Sequence, residues 1–563
     1  MPLVEEVQSE DSAEASTEPS TEPFAESETA LEAQPLERGS TVLFVISTIL
    51  AMLLAGAGFY WWSGHPMLIN PDQALYVSMA QLLLEGRVPY VEMFDNNPPL
   101  AIYFQIPPVV LSQLLHIPLP LCFSMFVQAL TLLSTVLIAC LVWPFRKHGV
   151  LLTVAAAALG FAYFNEIQRL DFGQREHLFC IIYMPFFILR YLRWRGLETG
   201  RSLAILCGLL AGVGIAFKHY FLLIALAPEL VWFLRERRWQ PFLAAETGAA
   251  ALVIFLYLLH FLFLPLAELQ SFFGFIVPIY KEGYNYYVTS AIYNMATYWR
   301  IEFFWLALVS VLSLCLAEFS SLALALCAFS FMSALVYVFA GQIWSYHMVP
   351  VRMANTMAFG VELVLLGRLL VNGLPGPRQT RLLAAAMCAA CLLCGGIYLF
   401  FQAKNFAEER QNSESFPMEN LGYKGSCPAE DIDPFVESCL GNSLPEDTVL
   451  FICASMAPGY PSMVQTGRRP GSRFIHAMIL PVLAYIEDRR DISEEERELY
   501  RLRKQQVLDW YGADIERYKP ALIYMQDNPM NWVLEKDNFV KKRMGHYKFL
   551  LNKDGISIYK RQP

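Results

Sequence analysis

Apolar runs recur along this chain near residues 41–62, 121–145, 149–164, 177–193, 202–217, 220–234, 241–264, 303–317, 319–340, 347–371 and 381–401. Runs of this length match what the hydrocarbon core of a bilayer asks of a spanning helix. Only 17% of the residues are charged and 55% are apolar, so the chain reads as an integral membrane protein. The short connections sort by charge. Arg146-Lys147, Arg190 to Arg201, Arg235-Glu236-Arg237-Arg238 and Arg368 to Arg381 are basic. In the alternate ones, 63–120, 165–176, 218–219, 265–302 and 341–346, bases are fewer or matched by acids. Under the positive-inside rule this predicts about eleven helices, a cytoplasmic N-terminus and a C-terminus outside. The run 99–116 must then not span. Pro98, Pro99, Pro107, Pro108, Pro118 and Pro120 support that, because proline interrupts helix hydrogen bonding.

Two segments flank the membrane part. Residues 1–40 are acidic and rich in Ser, Thr, Ala and Pro, with Arg38 the only base, so they read as a disordered tail. That tail lacks the basic start of a secretory signal, and the run at 41–62 is expected to stay as an uncleaved first helix. The net charge of −9 gives no reason to expect nucleic-acid binding. From 402 to 563 the chain turns polar. Residues 448–452 and 521–525 read as short buried strands, 494–516 as a helix, and 547–551 with 556–559 as a hairpin around Asn552-Lys553-Asp554-Gly555. The fold expected is a polytopic α-helical membrane domain, 41–401, followed by a small extracytoplasmic α/β domain, 402–563. Outside the cytoplasm Cys427 and Cys439 could pair as a disulfide. Cys388, Cys391 and Cys394 read as packing residues.

The residues that could carry chemistry fall on the outer side. The first loop offers Asp72, an amphipathic helix from Ala74 to Leu84, then Tyr90, Glu92, Asp95 and Pro98-Pro99. The second, Asn165 to His177, packs Asp171, Arg175, Glu176 and His177 into a short connection. Lys218-His219-Tyr220 and Trp344-Ser345-Tyr346-His347, with Arg352 about one turn on, lie at helix junctions on the same side. A cation at the lipid edge with no acid beside it suits a phosphate. The bland readings are a solvated, salt-bridged loop and interfacial anchors. The aromatic loop 271–300 reads as an interfacial helix, with a lid over a lipid tail as the sharper alternative. Glu246 is an intramembrane carboxylate, but Thr247 and Gly248 beside it suggest close helix packing. No zinc spacing, phosphate-binding glycine loop or nucleophile elbow is found. Carboxylates could hold a divalent ion, but no ligand spacing demands a metal or cofactor.

The order Asp72, helix, Glu85-Gly86, Pro89-Tyr90, Asp95, Pro98-Pro99-Leu100 resembles the membrane-embedded GT-C glycosyltransferases. The resemblance is to the branch with protein O-mannosyltransferases, lipid A aminoarabinose transferases and bacterial lipopolysaccharide sugar transferases, and it covers about residues 41–370. It implies an inverting transfer of a sugar from a polyprenyl-phosphate donor to a glycan, lipid or protein acceptor outside the cytoplasm, in a multi-pass inner (plasma) membrane protein. By the same resemblance Asp72 is the general base, and Asp171 or Glu176 is the second acid. Lys218, His347 and Arg352 would bind the donor phosphate, and Tyr90, Asp95, Arg175, His177 and Tyr346 the substrates. Two positions depart from the pattern: Gln73 stands where the mannosyltransferases often have Glu, and Asn97 where Lys or His often precedes the proline pair. A transporter or flippase of a lipid-linked glycan is the alternative. It would place polar residues near the midplane on broken helices. A non-catalytic assembly protein would leave Asp72 without a role.

Overall fold

The structure, a computed structural model, describes residues 42, 45–54, 56–57, 70–145, 150–168, 171–286, 290–341, 344–372, 378–411, 415–417, 426–428, 435–475 and 477–563. The acidic tail, much of the run at 41–62, Arg146-Lys147, and the side chains of Cys388, Cys391 and Cys427 lie outside the described residues.

From 121 onward each apolar run carries a helix: Leu119–Val142, Val150–Glu166, Arg175–Trp194, Arg201–Ala216, Phe221–Glu236, Ala245–His260, Arg300–Cys315, Ser321–Ala340, Val349–Asn372 and Arg378–Gln411. Among the described residues, Leu119–Phe145, Ala245–Phe263, Ser321–Ala340 and Ser345–Leu369 are long and apolar enough to cross a membrane. Leu222, Leu226, Leu230, Leu252, Phe255 and Leu256 point outward and are exposed, the pattern expected of helices solvated by lipid. The proline-rich stretch breaks into Leu100–Tyr103 and Ile106–Leu115. The longer piece rises about 15 Å, half a bilayer core.

The Arg175–Trp194 helix is the axis of the bundle: every residue in it but Arg193 is buried. A helix buried on all sides, with an apolar middle from Leu178 to Leu189, belongs at the centre of its neighbours. Pro185 interrupts it, leaving the Ile181 carbonyl without its usual N–H donor. Ser134, on the Leu119–Val142 helix, donates its hydroxyl to that carbonyl at 2.5 Å, so the proline's defect becomes an interhelical bond. The Arg201–Ala216 and Ala245–His260 helices meet at Gly208, where a Cβ would lie 2.2 Å from the Glu246 carbonyl oxygen. Glu246 itself ends in a closed network with no substrate-facing side. Arg190 holds Glu229 through two bonds of 2.7 and 2.9 Å and reaches Glu246 at 3.2 Å. Arg193 Nε adds a 3.0 Å bond to Glu246, and the Trp194 indole donates to Glu229 at 2.8 Å.

The C-terminal part is built on a five-stranded sheet, ordered Arg469–Pro470, Thr448–Ile452, Leu522–Gln526, Ile556–Arg561, Tyr547–Lys553. The first three strands run parallel, Ile556–Arg561 pairs antiparallel with Leu522–Gln526, and Tyr547–Lys553 pairs antiparallel with Ile556–Arg561 as the expected hairpin. The Glu494–Tyr518 helix begins with a capping box between Ser493 and Glu496. The expected boundary at 402 falls inside a helix, since Arg378–Gln411 runs on past it.

Several contacts seat this part on the first loop, among them ion pairs of Arg469 with Glu85 and Arg517 with Glu92 and two contacts at Phe94. The Phe94 N–H donates to the Arg473 carbonyl at 2.8 Å. The Phe94 ring lies 5.0 Å from Phe474, 5.4 Å from Trp510 and 6.2 Å from Phe275. The start of the aromatic segment 271–300 is packed against protein, while Phe273 within it and Ile292, Tyr293 and Tyr298 further along are exposed. Its π-helical stretch Gln270–Ile276 puts Phe272 against Tyr90 at 4.4 Å and Phe275 against Trp510 at 5.2 Å. This stretch is a packed joint between the helical part and the sheet.

Candidate active site

The Pro71–Leu84 helix starts where its sequence says it should. Asn70 accepts from the Asp72 N–H at 3.3 Å, Pro71 occupies the first turn, and Asp72 lies at the positive end of the helix dipole. Gln174 donates its carboxamide N–H to Asp72 Oδ2 at 3.0 Å. Asp72 is 9% exposed, and burial raises its carboxyl above the usual range. Arg175, the Gln174 bond and Lys218 pull it back.

Gln174 is placed by the turn before it. Gly173 sits at a φ of +71°, and a Cβ there would be 2.3 Å from the Phe123 ring, so only glycine fits. His177 fastens the turn: Nδ1 accepts from the Gly173 N–H at 3.0 Å, and Nε2 donates to Asn165 Oδ1 at 2.6 Å. With both nitrogens engaged and no exposure, His177 supports the loop. This corrects its expected place among substrate-binding residues.

Glu176 gathers the next group. Its Oε1 accepts from Lys218 Nζ at 2.5 Å and from the Tyr220 hydroxyl at 2.9 Å, and lies 3.9 Å from His347 Nδ1. Lys218 also lies 5.0 Å from the Tyr346 ring centre. Burial and the nearby Arg175 pull the Lys218 ammonium down to about 8, against the opposing pull of Glu176. Asp171 forms a parallel arrangement: it accepts from Ser345 Oγ at 2.7 Å and from Arg352 at 3.2 Å. Burial raises Asp171, and Arg352 and Ser345 lower it. The expectation of cations without nearby acids is therefore corrected. Lys218 and Arg352 are each held by one of the two candidate acids, because loop 165–176 folds back onto both helix junctions.

Arg175 completes the cluster. It donates to Asn97 Oδ1 and stands 5.2 Å over the Tyr76 ring. Its Nε, like that of Arg352, is buried without a partner among the described residues, as is Glu176 Oε2. Asn97 is held in turn by Asp95, whose two oxygens accept from the Asn97 backbone and side chain at 3.2 and 3.1 Å. The Tyr90 hydroxyl donates to the Asn97 carbonyl at 2.8 Å. Asp95 and Tyr90 were expected to touch substrate. Both are almost wholly buried, and both instead brace Asn97.

The structure thus brings together Asp72, Asp171, Arg175, Glu176, Lys218, Tyr346, His347 and Arg352, from four separate segments. It leaves His177, Tyr90 and Asp95 behind them as supports. Sequence reasoning missed Asn97, Gln174, Tyr220 and Ser345 as members. Of these only Gln174, next to Arg175, has a formally charged neighbour in the sequence; the other three carried no such signal. At Asn97 the Arg175 guanidinium meets an acceptor oxygen, which a lysine there could not supply. Among the described residues no three His, Cys, Asp or Glu side chains gather as a metal site.

No protein-family profile and no curated protein matches this chain. Among solved structures, it is similar to ArnT from Cupriavidus metallidurans in the apo state. The identity is 12%, the TM-score 0.47, and the match covers 92% of this chain and 97% of that one. It is also similar to the same protein bound to undecaprenyl phosphate, at 12% identity and TM-score 0.46, over 93% of this chain and 98% of that one. A likeness this distant carries no functional argument, and the reading below stands on the side chains of this chain.

Proposed function

We propose that this chain is a membrane glycosyltransferase that moves a sugar from a polyprenyl phosphate to a glycan, lipid or protein acceptor on the outer side of the inner membrane. One observation carries the reading. A buried carboxylate, Asp72, lies close to buried Arg175 and half-buried Lys218 at one end of the helices, and half-buried Arg352 joins the same cluster through Asp171. Asp72 Oδ2 accepts from Gln174, and no bond to its other oxygen is seen among the described residues. That oxygen takes the proton from the acceptor hydroxyl or amine. Its raised affinity for protons, caused by burial, suits the task. The acceptor atom bonds to the sugar's anomeric carbon as the bond from that carbon to the phosphate oxygen breaks. The electron pair leaves with the polyprenyl phosphate. A single displacement of this kind inverts the anomeric centre. The unpartnered Nε atoms of Arg175 and Arg352, with the remaining donors of Lys218, face the charge that develops on the leaving phosphate. His347 lies behind Lys218 and Glu176. The reading requires no cofactor, because the leaving phosphate is stable as an anion.

The accompanying topology has about eleven spans, a cytoplasmic N-terminus and an outer C-terminal domain. The charged residues gather at helix ends rather than at mid-bilayer on broken helices, which favours an enzyme over a flippase. Mass spectrometry of the lipids that co-purify with the protein tests the proposal. A polyprenyl-phosphate sugar lost in Arg175→Ala supports it; its retention in that variant, or its absence from the wild type, refutes it.

A further inference from the structure

A cavity lies away from Asp72. It has a volume of about 330 Å3 and sits where the Pro71–Leu84 helix and the segment Ser112 to Leu119 meet the C-terminal domain. That volume is at the lower end of the range for small-molecule sites, ~300–1,000 Å3. Ser78 and Gln81 contribute from the helix; at 100° per residue they lie on roughly the opposite side from Asp72. The cavity is therefore separate from the reaction centre.

The lining dictates the chemistry of an occupant. Ser78, Gln81, Gln465 and Thr466 are neutral groups that both donate and accept, and Ile117 and Leu440 add apolar surface. Among the described residues no carboxylate lines the cavity. Its two cations are already engaged. Arg469 is bound to Glu85 at 2.8 Å. Arg468 donates from Nε to Ser443 Oγ at 3.1 Å, and from its two terminal nitrogens to the Thr466 and Ser443 carbonyls at 2.6 Å each. The Arg468 donors are occupied by neutral oxygens, and an anion would have to displace those bonds to reach them. Gln465 is the telling residue. It is 5% exposed, and neither its carboxamide oxygen nor its nitrogen has a partner among the described residues. A buried amide left unpaired at both ends is rare in a folded protein. A hydroxyl group can satisfy both ends, by donating to the oxygen and accepting from the nitrogen.

We propose that this cavity binds one or two rings of an uncharged saccharide, whose hydroxyls meet Gln465, Gln81 and Ser78 and whose C–H face lies on Ile117 and Leu440. The site is distinct from the transfer centre, and its occupancy does not depend on the transfer reading.

The test uses the full chain in a sugar-free detergent. Saturation-transfer NMR titrations with methyl glucoside, methyl mannoside, methyl galactoside and maltose measure binding. We expect at least one to bind at millimolar concentration and to weaken at least tenfold in Gln465→Leu. Gln81→Leu, on the other wall, should weaken it as well. Gln465→Leu exchanges an unpaired buried amide for an apolar group of similar shape, so its melting temperature without sugar should be unchanged or higher. Asp72→Asn should bind within twofold of the wild type. If no neutral saccharide binds, the cavity holds only water and the proposal fails. It fails equally if binding survives both glutamine substitutions, or if glucose 6-phosphate or glucuronate binds more tightly than the neutral sugars. Loss of glycan transfer in Asp72→Asn with saccharide binding intact supports both readings. Binding in a protein that never transfers a sugar leaves this one standing alone.

Discussion

Lys218 and Glu176 meet at 2.5 Å, joining the junction after the Arg201–Ala216 helix to the first turn of the buried Arg175–Trp194 helix. The ammonium is crowded by burial and by Arg175, so it holds its proton only up to about pH 8. The sign follows directly: the cation is present below that value and is lost as pH rises through it. We expect transfer in proteoliposomes to decline above about pH 8, with each further unit approaching a tenfold loss. Lys218→Arg should move that alkaline limb upward, because guanidinium does not deprotonate there. An unchanged limb in the arginine variant would falsify the role given to Lys218.

Asp72→Asn keeps the shape of the side chain, and Gln174 can turn its carboxamide to bond the new amide. Folding and expression should therefore persist. Transfer should fall by about 10²- to 10⁴-fold, the usual contribution of a positioned base. Initial rates in membranes normalised for protein decide this; activity within threefold of wild type removes Asp72 from the mechanism.

Arg352→Ala leaves Asp171 buried with Ser345 as its remaining bonded partner. Breaking one side of such a pair costs about 3–5 kcal/mol when burial is complete. Arg352 is 21% exposed, so the lower end of that range is expected. Asp171→Asn combined with Arg352→Gln should recover most of the lost thermal stability without recovering activity. Melting curves of the single and double variants separate the two effects.

Phe94→Ala removes the ring that Phe275, Phe474 and Trp510 surround. A buried phenylalanine truncated to alanine typically costs about 3–5 kcal/mol. Here the loss should be local. Hydrogen exchange in residues 88–98 should rise well before exchange in the Arg175–Trp194 helix, and KM should rise more than kcat falls. Uniform destabilisation of the whole chain would contradict the idea that the C-terminal domain positions Asn97.

Sidedness is open to direct chemistry. In a cysteine-depleted background, a cysteine at exposed position 85 should react with a membrane-impermeant maleimide on intact cells, and one at exposed position 237 only after permeabilisation. The reverse pattern inverts the topology.

Long apolar runs made the helical part legible. The helices from Leu119–Val142 to Arg378–Gln411 sit where hydropathy placed them, because lipid and a buried axis both select apolar residues. The candidate cluster was legible as well, through Asp72, Asp171, Glu176, Lys218 and Arg352, since ionisable residues are conspicuous in an apolar chain. Which charge pairs with which was not. Nothing in the local sequence says that Lys218 meets Glu176 or that Arg352 meets Asp171, because both contacts depend on how helices pack across the bundle. The supporting roles of His177, Asp95 and Tyr90 were hidden for the same reason. A polar side chain that ties a turn and one that touches a ligand look alike until their partners are placed.

At the far end of the central helix, about 21 Å from Glu176 at ~1.5 Å per residue, Arg190 and Arg193 bind Glu229 and Glu246 in a single knot. Three helices are thereby riveted together at their base. On the proposed function, a long isoprenoid chain would have to enter at the opposite rim, because this end of the bundle is stitched shut by the knot.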